Sequence, residues 1–225
     1  MAPELIRMRT GGGRRPPFWL RAKRALSACD PVLAQIIAQH PRIALASRGD
    51  AFTTLARSIV GQQISVKAAQ AVWGRVLGTC PEFAPKTLLR RRATTLRGCG
   101  LSDRKVEYLR DLASRFASGR IDSACFAQQS DDEIIAELTD IRGIGRWTAE
   151  MFLIFSLLRP NVLPLDDLGL LKAISVNYLD GTPIDRLFKR DGRAQIEKLA
   201  VAWAPWRSVA TWYMWRSLDP IPVEY

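Results

Sequence analysis

The stretch Leu138-Thr139-Asp140-Ile141-Arg142-Gly143-Ile144-Gly145-Arg146-Trp147-Thr148-Ala149 decides the fold. Ser130 and Glu133 form a capping-box pair ahead of it, followed by Ile134, Ile135 and Leu138 at helical spacing. Gly-Ile-Gly then makes a tight turn, because glycine adopts dihedrals that other residues avoid and lets a ligand come close to the backbone. A second helix begins near Gly145 and runs to about Leu158, where Arg159-Pro160 ends it. The N–H groups at its start lack intrahelical partners and form an anion site suited to a phosphate. A lone Gly-x-Gly turn is also common between core helices, so the hairpin gains meaning only from its surroundings.

Outward from the hairpin the pattern stays helical. Asp30-Pro31 is an N-cap followed by proline at the first helical position, with Leu33, Ile36 and Ile37 on one face. Asp50 caps a segment carrying Phe52, Leu55 and Ile59, and Ile64, Ala68, Val72 and Val76 continue a stripe after Gly61. Val106, Leu109, Leu112, Ala113 and Phe116 mark a helix over 103–117, and others are expected near 167–177, 184–189, 193–203 and 206–217. The period-2 alternation of strands is absent. The expected fold is all-α, with nine to eleven short helices and no internal repeat.

Composition narrows the function. The chain has 225 residues, with 33 Lys plus Arg against 22 Asp plus Glu, a net charge of +11. Residues 1–24 hold seven cations and one acid, and residues 86–105 again hold seven and one, so each nets +6 and the rest nets −1. Two basic segments on a near-neutral body point to a polyanionic partner, with a solvated face as the plain alternative. Gly11-Gly12-Gly13 and Pro16-Pro17 make 1–24 read as a flexible basic arm. The single histidine, His40, precedes Pro41 and reads as a helix end, which removes most histidine chemistry. Cys29, Cys80, Cys99 and Cys125 are too widely spaced for a zinc ribbon or an iron–sulfur cluster and read as reduced thiols. No secretory signal and no membrane-crossing apolar run is seen, so a cytoplasmic protein without membrane attachment is expected (nucleoid-associated if bacterial).

About twenty residues after the hairpin comes Val162-Leu163-Pro164-Leu165-Asp166-Asp167-Leu168-Gly169-Leu170-Leu171-Lys172, an acid pair opening a helix. Here the sequence resembles the helix-hairpin-helix DNA glycosylases, most of all the 3-methyladenine DNA glycosylase II branch. Ile59-Val60-Gly61-Gln62-Gln63-Ile64-Ser65, Gly100-Leu101-Ser102-Asp103-Arg104-Lys105 and Trp203-Ala204-Pro205-Trp206-Arg207-Ser208 also match, and the resemblance spans about residues 45–218. No counterpart of the N-terminal β-domain of some larger members is expected within these residues.

The resemblance implies that Asp167 is the catalytic carboxylate, with Asp166 helping to cap the helix. Trp147 stands where bifunctional members keep a lysine, which implies a monofunctional enzyme. Gln62 and Gln63 would contact DNA, with Gln63 at the wedge position, although some relatives have leucine there. Trp147, Met151, Tyr213 and Trp215 are expected around the base pocket; Met151 replaces a tyrosine of at least one relative. Gly143, Ile144, Gly145, Arg146 and Thr148 would hold DNA phosphates. The carbonyls near Thr139, Ile141 and Ile144 would hold a monovalent cation, K⁺ or Na⁺, with no other cofactor required.

Such an enzyme, acting as a monomer, flips an alkylated purine such as 3-methyladenine out of double-stranded DNA and hydrolyses its glycosidic bond. Cation–π attraction of a charged base to Trp147 and Trp215 would add roughly 0.5–2 kcal/mol. The implied architecture is two helical lobes with a DNA-binding cleft between them: 25–50 plus 164–225, and 51–163 with the hairpin over 138–158. Three other readings remain: a non-enzymatic DNA-binding module, a related glycosylase for uracil, mismatches or oxidised guanine, and a basic helical RNA-binding protein.

Overall fold

The computed structural model describes residues 15–42, 44–47 and 49–218, and all regular structure among them is helical. The α-helices are α1 (Trp19–Cys29), α2 (Pro31–Gln39), α3 (Ala51–Gly61), α4 (Val66–Thr79), α5 (Pro85–Leu89), α6 (Ala93–Gly98), α7 (Asp103–Ala117), α8 (Asp131–Thr139), α9 (Arg146–Phe155), α10 (Leu168–Tyr178), α11 (Ile184–Leu187), α12 (Arg190–Leu199) and α13 (Arg207–Leu218). A single 3₁₀ turn, Cys125–Ala127, precedes α8. None of these helices is long and apolar enough to cross a membrane.

Caps set many of the boundaries. Asp30, Asp50, Ser65, Ser102 and Ser130 each accept a hydrogen bond from the backbone of the helix they open, and Ser130 with Glu133 completes the expected capping box. His40 is the residue at which α2 ends. Helices α1, α2, α10 and α13 pack on one another, with α11 on α10 and α12 on α11. Helix α3 packs on α4, α7 and α9; α5 and α6 pack on α7, and α8 packs on α9. One apolar core runs through both groups.

Two expectations need correction. The basic arm drawn over 1–24 is too long: residues from Trp19 onward belong to α1, where Trp19, Ala22 and Leu26 are buried on one stripe. The exposed cations Arg21 and Arg24 mask that stripe in the sequence. Residues 1–14 of the arm lie outside the described residues. The described residues also hold thirteen α-helices rather than nine to eleven. The short α5 and α6 sit within the basic run 86–105, each anchored by one fully buried leucine, Leu88 and Leu96.

One buried carboxylate ties the first group together. Asp30 is 6% exposed and accepts the Leu33 N–H (2.9 Å), the Tyr178 hydroxyl (2.8 Å) and the Trp203 indole N–H (2.8 Å). Burial, then the hydrogen bond to Asp30, push the Tyr178 hydroxyl far above the usual phenol range, so it stays a donor. Asp30→Ala strands these buried donors and is expected to cost about 2–4 kcal/mol of stability, read by urea denaturation.

Candidate active site

The hairpin forms where α8 ends at Thr139 and the chain turns back into α9. Gly143 sits at φ +82°, and a Cβ there would overlap the Tyr108 ring of α7, so conformation and packing both require glycine. Ile141 and Ile144 are buried and root the turn, and the Ile144 N–H donates to the Ile141 carbonyl (3.1 Å). Gly145 opens α9 without a side-chain cap, which leaves the first N–H groups of that helix for another partner.

Asp167 is the N-cap of α10 and is 8% exposed. Its Oδ1 accepts the Leu170 N–H (2.6 Å) and the Trp215 indole N–H (2.7 Å), while its Oδ2 accepts the Trp147 indole N–H (2.8 Å). Trp215 stacks on Phe155, with ring centroids 5.6 Å apart and planes 11° from parallel. Trp147, Met151 and Phe155 recur at every fourth position of α9 and therefore line one face of it. Gly169 leaves room for this arrangement: a Cβ there would lie 3.1 Å from Asp167 Oδ1 and 3.1 Å from Trp215 Cδ1.

Charged groups flank this centre. Asp166 pairs with Arg193 of α12 (2.5 Å). Glu150, 3% exposed, accepts from Arg146 Nε (2.9 Å) through Oε1. Burial pushes the Glu150 carboxyl above the usual carboxylate range, and Arg146 offsets part of the shift.

Residues 56–198 match the family described as HhH-GPD superfamily base excision DNA repair protein. The chain belongs to that superfamily. DNA-3-methyladenine glycosylase 1 of Schizosaccharomyces pombe is 36% identical to it over 170 residues, covering 74% of this chain and 72% of that protein. The solved DNA-3-methyladenine glycosidase from Bacillus halodurans has 35% identity and a TM-score of 0.77, covering 88% of this chain and 89% of that one. The Schizosaccharomyces pombe 3-methyladenine DNA glycosylase in complex with abasic DNA has 30% identity and a TM-score of 0.69, covering 90% and 100%.

In this HhH-GPD chain the structure brings Trp147, Trp215 and Asp167 together. Met151 is half-buried one turn beyond Trp147. Tyr213 is placed elsewhere, which corrects the expectation that it lines the pocket. It is fully buried against Trp19 (5.8 Å) and Trp212 (5.1 Å), because two residues along a helix from Trp215 is close to the opposite face. Asp166 does not cap α10; Asp167 does so itself. Gln63 is exposed at φ +59°, whereas Gln62 is half-buried and donates its amide to the Gly143 carbonyl (2.8 Å). Arg146 and Gly145 are exposed at the hairpin, and Thr148 is buried in the first turn of α9.

Sequence reasoning missed Phe155, Glu150, Gly169 and Arg193. The i, i+4 recurrence from Trp147 signals Phe155; the other three depend on tertiary contacts. The Thr139, Ile141 and Ile144 carbonyls suit a hard monovalent cation in chemistry, although Ile141 already accepts one hydrogen bond within the turn.

Gly169→Ala is expected to push the Trp215 indole off Asp167 and to cost about 1–3 kcal/mol of stability. The check is the ¹H–¹⁵N resonance of the Trp215 indole, assigned with Trp215→Phe. A second expectation concerns pH. Glu150 has a folded-state value above its unfolded one, so the folded protein binds more protons between the two. The stability it contributes is full below the ordinary carboxylate range and is lost as pH rises through the raised value. Glu150→Gln should therefore be more stable than wild type near pH 7 and match it below about pH 4, compared by denaturation at both pH values.

Proposed function

We propose that the chain is a monofunctional DNA glycosylase that hydrolyses the N-glycosidic bond of alkylated purines such as 3-methyladenine in duplex DNA. The observation that carries this is the Asp167 carboxylate, gripped by two indoles at the head of a helix about twenty residues beyond the hairpin. Its place beyond the hairpin, between the tryptophans of the hairpin helix and of α13, sets it apart from the structural cap Asp30.

The hairpin N–H groups anchor a phosphate and position the duplex without reading sequence. The exposed cations Lys86, Arg90, Arg92 and Arg104 supply a non-specific electrostatic term. The damaged base leaves the stack, at least cost where pairing is already weak, and meets the aromatic face formed by Trp147 and Trp215. As the glycosidic bond breaks, its electron pair leaves with the base and cancels the positive charge of an alkylated purine. Positive charge develops on the sugar, and the oriented Asp167 carboxylate stabilises it in a largely water-free setting. Oδ2 holds a single donor and so retains acceptor capacity for the attacking water, whose oxygen bonds to C1′ while its proton passes to the carboxylate or to solvent. The base departs as a good leaving group without a general acid, which suits a chain whose single histidine, His40, closes α2.

Trp147 offers no amine for a Schiff base, which supports hydrolysis without strand cleavage. A K⁺ or Na⁺ on the Thr139, Ile141 and Ile144 carbonyls would add positive field at the hairpin for the phosphate. The four free thiols, of which Cys80 and Cys99 are buried, support a reducing compartment such as the cytosol.

Asp167→Asn keeps a capping side chain. It is expected to bind DNA as wild type does and to release 3-methyladenine from methylated DNA about 100-fold more slowly or worse. Release at the wild-type rate by this variant would sink the catalytic assignment. A wild type that binds but releases no base from a panel of damaged duplexes is a binding module instead.

A further inference from the structure

We propose that Lys105 is a positioning residue that latches the Gln62–Gln63 loop to the hairpin, so that phosphate anchoring and base extrusion act in register. The proposal rests on the glycosylase reading, but the latch itself is visible in the structure.

Helix α3 ends at Gly61, and its last carbonyls have no intrahelical partner. Lys105 Nζ donates to two carbonyls there, Val60 (2.7 Å) and Gln62 (2.7 Å). A cation at this end also complements the helix dipole. Gln62 is gripped from its other side, because its amide donates to the Gly143 carbonyl of the hairpin (2.8 Å). The next residue, Gln63, is exposed and sits at φ +59°. A non-glycine residue in that region persists only where its surroundings hold it. The Lys105 and Gln62 bonds supply that hold.

The same helix grips the hairpin. Lys105, Tyr108, Asp111 and Arg115 are spaced 3, 3 and 4 along α7 and so share one face. Tyr108 fills the space above Gly143, Asp111 Oδ2 accepts the Arg142 N–H (2.9 Å), and Arg115 holds both the Asp140 carboxylate and its carbonyl (2.7 Å). One stripe of α7 thus sets the distance between the phosphate anchor and the exposed Gln63. Lys105 belongs to the basic run 86–105, yet its ammonium is turned to internal carbonyls and is pushed below the usual lysine range by burial.

The test compares the full chain with Lys105→Met, which keeps the stem and removes the donor, and with Lys105→Arg, which keeps two N–H donors. Three quantities are measured: hydrogen exchange of the amides at residues 62–65, affinity for undamaged duplex as a function of salt, and single-turnover release of 3-methyladenine. Release is measured with the base paired in duplex and again opposite an abasic gap, where the cost of extrusion is already reduced. For Lys105→Met the expectation is faster exchange at 62–65, affinity within about twofold of wild type with an unchanged salt slope, and paired-base release slower by about tenfold or more. The loss should shrink opposite the gap, and Lys105→Arg should recover most of it.

Unchanged exchange at 62–65 overturns the latch. Equal losses in the paired and gapped substrates overturn the coupling to extrusion. A salt slope lower by about one assigns Lys105 to a phosphate and overturns the proposal too. If wild type releases no base at all, the glycosylase reading falls, and the exchange measurement still decides the latch.

Discussion

Three N–H donors from three helices converge on one carboxylate. Asp167 accepts from Leu170 of its own helix α10, from Trp147 of α9 and from Trp215 of α13. A carboxylate in that position joins the hairpin helix to the helices that follow it in the chain. Both tryptophans are oriented by the group they serve, and the group is oriented by them. The geometry of the proposed catalytic group and inter-helix cohesion therefore share the same hydrogen bonds, a compact way to preorganise a site.

Asp30 uses the same chemistry for another purpose. It too caps a helix and accepts from a backbone N–H and an indole, with a tyrosine hydroxyl as its third donor. The two aspartates are buried to a similar degree. Donor set and burial thus do not distinguish a structural carboxylate from a chemical one. What distinguishes Asp167 is its place about twenty residues beyond the hairpin, between the tryptophans of α9 and α13.

Much of this was legible in the sequence because it is local. The caps at Asp30, Asp50 and Ser130, the glycine turn at Gly143 and the spacing from hairpin to Asp167 are each written within a few residues. Helix α1 was not legible beyond its basic face, since three cations within residues 21–24 outweigh the Trp19, Ala22 and Leu26 stripe by eye. Tyr213 lies two residues from Trp215 in sequence but close to the opposite face of α13, so nearness along the chain does not place it at the pocket. The partner of Asp166, Arg193, lies on a different helix, and no local pattern announces a bond across 27 residues. Gly169 and Lys105 act through close approach of elements far apart in the chain, which only packing shows.

The ion pairs change the meaning of the formal charge. Arg97, Arg115, Arg142, Arg146, Arg159 and Arg193 are each paired with a carboxylate of the same molecule. Lys105 is turned inward to carbonyls. A count of basic residues therefore overstates the number of condensed counterions the protein displaces from a nucleic acid, because a cation committed to a carboxylate of its own fold is not available to neutralise a phosphate. The exponent linking affinity to ionic strength is a property of the exposed, uncommitted side chains, and a net charge of +11 sets no value for it.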